Sequence, residues 1–109
     1  MKNRVIRQGD VLLVPIKVLP KSVVPMDAES GRVILARGEA TGHHHSFAMS
    51  ERVALFREDG SGGGLFLSVT GAPAALEHQE HSALDIPPGK YEVRGQREYH
   101  PAEIRRVVD

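Results

Sequence analysis

The chain contains no cysteine and no tryptophan. The first absence excludes disulfides, thiolate zinc sites, iron–sulfur clusters and a cysteine nucleophile. The second, with only three Phe and two Tyr, leaves the core to Val, Leu and Ile. An excess of either charge is missing too, since 14 Lys and Arg stand against 14 Asp and Glu. A balanced chain has no field to draw in nucleic acid, and few aromatics offer little surface for stacking bases. Arg94, Arg97, Arg105 and Arg106 interleave with Glu92, Glu98, Glu103 and Asp109, which reads as solvated ion pairs rather than a phosphate-binding face. No apolar run approaches the ~20 residues of a spanning helix, so a membrane partner is not expected. The stretch VLLVPIKVLP is broken by Pro15 and Lys17 and lacks a cleavage-like end, so a signal peptide is not expected there. A cytoplasmic location is the expectation.

What is present is a series of short apolar segments between Gly and Pro turns. Residues 4–8 suit a short edge strand, and Gly9-Asp10 a turn. In 11–18 (VLLVPIKV), Val11 and Leu13 share one face while Leu12, Val14 and Ile16 share the other, so both faces look buried. Pro15 lacks an N–H and places that end at an edge or a bulge, where pairing with a second copy would give a homodimer. Residues 19–31 hold Pro20 and Pro25 and read as irregular. Further strands are expected at 32–37, 43–49, 53–57, 65–69, 84–86 and 90–94, with 96–99 and 104–108 closing the chain. Residues 60–64 form a flexible hairpin loop, and 74–80 suit either a strand or one short helix. Helical periodicity is nowhere sustained. The expected fold is one all-β domain over 1–109, a small β-barrel or β-sandwich with at most one short helix.

Three of the six histidines, His43, His44 and His45, are consecutive. On an extended chain His43 and His45 share a face, and His44 takes the other. Downstream, EHQEH supplies Glu77, His78, Glu80 and His81. His43, His45, His78 and His81, with Glu77 in reserve, are therefore candidate ligands for a divalent metal such as Zn, Fe, Ni or Mn. Glu80 is the candidate general base. His78 and His81 are three apart, so a turn must bring them together; this is not the H-E-x-x-H helix of the zinc proteases. No serine lies in G-x-S-x-G, and the glycine tract lacks the G-K-S/T of a phosphate loop. No reaction or substrate is legible. The alternative is an interaction or assembly protein whose histidines line a surface for a partner or small molecule.

The segments RQGDVLLVPI, GEATGHHHSF, EHQEH and LDIPPGKYEVRGQREY resemble a group of short bacterial and phage-associated proteins known as uncharacterised. That resemblance covers most of the chain and implies a common domain rather than an activity. A narrower similarity is to the cupins, metal-binding β-barrels. His43 to His45 resembles the histidine pair of their first motif, and IPPGKYEV their Pro-x-Gly turn. Here only Glu51 could serve as the glutamate that follows the pair, and His78 and His81 precede Pro88-Gly89 instead of following it. RVIRQGDVLLVPI is also similar to the opening of a co-chaperonin barrel, without that family's mobile loop.

Overall fold

The computed structural model describes residues 4–37, 42–59 and 64–95. The glycine-rich loop at 60–63, the strands expected at 96–99 and 104–108, and His100 lie outside the described residues. The described chain is all-β, with ten strands. They are β1 (Ile6–Gln8), β2 (Val11–Ile16), β3 (Val23–Met26), β4 (Arg32–Arg37), β5 (His44–Ala48), β6 (Val53–Glu58), β7 (Leu65–Val69), β8 (Ala74–Leu76), β9 (Leu84–Ile86) and β10 (Gly89–Gly95). Among the described residues there is no helix, and hence none long and apolar enough to cross a membrane.

Six strands form one antiparallel sheet in the order β1-β2-β10-β7-β6-β3. β4 pairs with β5, and β8 with β9, as separate two-stranded ribbons. The all-β expectation is borne out; of its two alternatives, the closed barrel is not formed within the described residues, where the large sheet stays open and is covered by the two ribbons. The reason lies in its edges. β1 has only three residues, and β3 carries Pro25, which cannot donate to a further strand.

Alternation decides which side is covered. Val11 and Leu13 of β2, Val53 and Leu55 of β6, Leu67 and Val69 of β7, and Tyr91 of β10 enter one core with Val33 and Leu35 of β4, Phe47 of β5, Ala74 and Leu76 of β8, and Ile86 of β9. Tyr91 is fully buried, and its hydroxyl donates to the Pro87 carbonyl at 2.6 Å, so the one polar atom of this large core residue is satisfied. Leu12 is also buried, as expected for a strand covered on both faces, while Val14 and Ile16 are half-buried.

Two local features aim the site. Gly9 adopts φ +56° in the two-residue turn that sets Gln8 opposite Val11. In the β4–β5 ribbon, Leu35 is an extra residue between the pairs Ile34–Ser46 and Ala36–His45, a bulge that sets His45 against the small Ala36. Residues 74–80 resolve as strand β8 followed by a bridge. Ser46 N–H donates to the Glu77 carbonyl at 3.0 Å, and Glu77 N–H donates back at 2.8 Å. This bridge draws the segment after β8 onto β5.

The core position predicts its own cost. Leu67 is fully buried in the middle of the large sheet, and Leu67→Ala should destabilise the domain by about 3 kcal/mol through lost transfer energy and a cavity. Val24, exposed on edge strand β3, should lose less than about 0.5 kcal/mol as Val24→Ala. Urea midpoints at unchanged slope check both.

Candidate functional site

His43, His45, His78 and His81 come together in one cluster at the end of β5. Ring centroids are 4.3 Å apart for His45 and His78, 4.7 Å for His78 and His81, 5.7 Å for His43 and His78, and 6.1 Å for His45 and His81. His45 is positioned by β5, and His43 immediately precedes that strand. His78 and His81 lie on the irregular segment between β8 and β9, whose bends remove the strand alternation that would have pointed them apart. All four histidines singled out by spacing are thus neighbours. His44 is not among them, and its side chain lies on the other face of β5.

The cluster rests on a residue type the sequence reading passed over. The Gln8 carboxamide is buried, and its Nε2 donates to the Leu76 carbonyl at 2.8 Å and the Ser82 carbonyl at 3.0 Å. Its Oε1 is therefore the acceptor for His45 Nδ1, 2.8 Å away. This network assigns the proton of neutral His45 to Nδ1 and leaves the Nε2 lone pair unengaged by it. Gly9 is the second missed residue. A Cβ there would stand 2.7 Å from His81 Nε2 and 3.3 Å from His45 Cε1, so both rings approach a bare backbone. The sequence signal for these two residues is the Gln that precedes the Gly-Asp turn.

The carboxylates divide. Glu80 Oε2 lies 3.4 Å from His43 Nδ1, beside the cluster. Glu77 faces away from it and binds Arg32 Nη2 at 2.7 Å. The Glu80 N–H donates to His78 Nδ1 at 3.0 Å, which places the proton of neutral His78 on Nε2. The rings lie partly face to face, His45 and His81 within 18° of parallel. Among the described residues, no three or more His, Asp or Glu side chains stand placed to hold a metal ion.

The electrostatics keep two rings neutral. Burial, then the neighbouring His78 and His81, lower the His45 pKa to about 4, with Asp10 partly opposing them. His78 is lowered for the same reasons, burial first and then His81 and His43, against the attraction of Glu80. For His45 the unfolded chain takes up a proton near pH 6.5 while the folded one resists until about pH 4. Its contribution to stability is therefore complete above pH 6.5 and is lost as pH falls towards 4, on the order of 3 kcal/mol in all. Urea unfolding of chelator-treated protein from pH 7.5 to 4.5 should show this fall, and His45→Gln should flatten it.

A family model, a domain of unknown function (DUF8820), matches residues 7–96. No curated protein and no solved structure matches the chain.

Proposed function

The chain belongs to the DUF8820 family of unknown function, and from its own site we propose that it binds a divalent transition metal through His43, His45, His78 and His81. The observation that carries this reading is the Gln8–His45 hydrogen bond. A metal-ligating histidine commonly donates its second ring N–H to a fixed outer partner, which sets the tautomer and the ring plane. Gln8 does this for His45, itself held by two backbone carbonyls. Glu80 stands in a similar position beside His43 Nδ1. Neutral imidazoles are what a metal requires, and burial with mutual repulsion keeps His45 and His78 so.

Binding asks for movement of the more exposed rings. His43 and His78 are half-buried and His81 is exposed. Ligation by His78 through Nε2 requires the proton to move to Nδ1 and the Glu80 N–H to be released. A bound ion would supply Lewis acidity beside Glu80, whose carboxylate then orients His43 or accepts a proton. Zn, Fe, Ni and Mn all accept imidazole and oxygen donors.

Tag-free protein, stripped with chelator and dialysed, tests this. Reloaded with Zn²⁺ and freed of excess by gel filtration, it should hold one equivalent of metal, and at a hundredfold excess over Kd the fold should gain about 2.7 kcal/mol. In a domain of this size that raises Tm by about 10–20 °C. His45→Ala and His78→Ala should each remove most of the shift, and Gln8→Leu should weaken binding about 10- to 100-fold. His44→Ala should leave it intact. The absence of any metal-dependent shift at pH 7.5 would refute the metal site and favour a partner-binding surface built from the same histidines.

A further inference from the structure

The large sheet ends in two edge strands, β1 and β3, and β2 lies inside it between β1 and β10. β3 is the more apolar edge. Its Val24 and Met26 are 37% and 40% exposed. Met26 stands opposite Leu55 and Val24 opposite Arg57, so both share the face of the sheet that Leu55 turns to the core. Leu55 enters that core, whereas Val24 and Met26 do not.

The ladder decides which backbone groups of β3 face outward. Asp59 N–H donates to the Ser22 carbonyl at 2.6 Å, in register with the β3–β6 pairs. Bonded and non-bonded positions alternate along an antiparallel pair. Ser22, Val24 and Met26 therefore bond towards β6, and Val23 and Pro25 turn their backbone groups outward. Val23 offers an N–H and a carbonyl there, and Pro25 only a carbonyl. A second copy of β3, run antiparallel and centred on Val24, suits this pattern. Each Val23 N–H then meets the Pro25 carbonyl of the partner subunit, and no bond needs the missing proline N–H. The flanking charges select the same register. Lys21 and Asp27 stand three residues to either side of Val24, both exposed, and neither makes an ion pair among the described residues. Centred on Val24, each Lys21 faces Asp27 of the partner subunit, and a shift of two residues either way loses the match. β1, by contrast, lies beside Arg4 and Arg7, whose like charges oppose self-pairing.

We propose that the protein forms a two-fold symmetric homodimer in which β3 of one protomer pairs antiparallel with β3 of its partner, centred on Val24. Val24 then stands opposite its own copy with Met26 of the partner subunit on the diagonal, so four exposed apolar side chains cover one another. The interface is short, and its dissociation constant should be on the order of 10–100 µM.

Sedimentation equilibrium of the full chain, tag-free and with chelator so that no metal bridges histidines, should show monomer and dimer in exchange across about 5–500 µM. Lys21→Glu and Asp27→Lys should each weaken association about tenfold, because two ion pairs become two repulsions. The double swap should restore it. Mixed in equal amounts, the two single variants should form a heterodimer, since each supplies the charges the other lacks. Val24→Cys tests the register in a chain without other cysteines. Val24 falls at a non-bonded position of the new pairing, where side chains are closest, so mild oxidation should link the dimer about tenfold faster than in Val18→Cys, a 74% exposed control. A chain that stays monomeric to about 500 µM, a double swap that fails to restore association, or Val24→Cys linking no faster than Val18→Cys overturns the proposal.

Discussion

One buried carboxamide holds the site together. Gln8 comes from the outermost strand of the large sheet, and its three hydrogen bonds reach the end of β8, the loop before β9, and β5. Four separated stretches of chain meet on five side-chain atoms. Because the amide is buried, each contact is enforced by what would happen without it: an unpaired carbonyl or imidazole inside the protein. The imidazole cluster inherits its geometry from this anchor. His45 is fixed in tautomer and plane, and the exposed histidines gather around it.

The division of the histidine tripeptide follows from the pleat. β5 sends His45 to the cluster with Gln8 and sends His44 to a cleft that it lines with Arg32 and Gln79. Neighbouring residues of one type thus sit in different environments. One has its Nδ1 paired, and the other has its Nδ1 buried with no hydrogen-bond partner among the described residues. The Ser46–Glu77 bridge is what allows both, since it holds the EHQEH segment astride the strand, with His78 on the boundary.

Much of the fold was legible because its strands are short and alternate cleanly. Residues 32–37, 65–69 and 84–86 are strands at the expected boundaries. β3 was missed because Pro25 reads as a breaker, although an edge strand tolerates it. Residues 74–80 were ambiguous because their alanines suit a helix, and pairing with β9 overrides that propensity. The choice between a closed barrel and an open sheet was not legible, since closure depends on edge partners and not on alternation. The four clustered histidines were legible from their number and spacing. Gln8 and Gly9 were not, because a glutamine is chemically generic and its carbonyl partners lie 68 and 74 residues away. Arg32 was hidden in the same way, 45 residues from Glu77.

The strand order carries a consequence for how the chain acquires its structure. β2 lies in the sheet between β1 and β10, and β10 is the last strand of the described chain. The β1–β2 hairpin can form early, yet the partner of its inner side is made only after nearly everything else. β6 and β7, adjacent in sequence, also wait for β10 before joining β2. Such non-local pairing delays collapse relative to a meander, because loop closure must precede the contacts that reward it. During synthesis the strand VLLVPI therefore stays without its long partner until residues 89–95 have left the ribosome, and this is the interval in which the polypeptide is most open to mispairing with another chain.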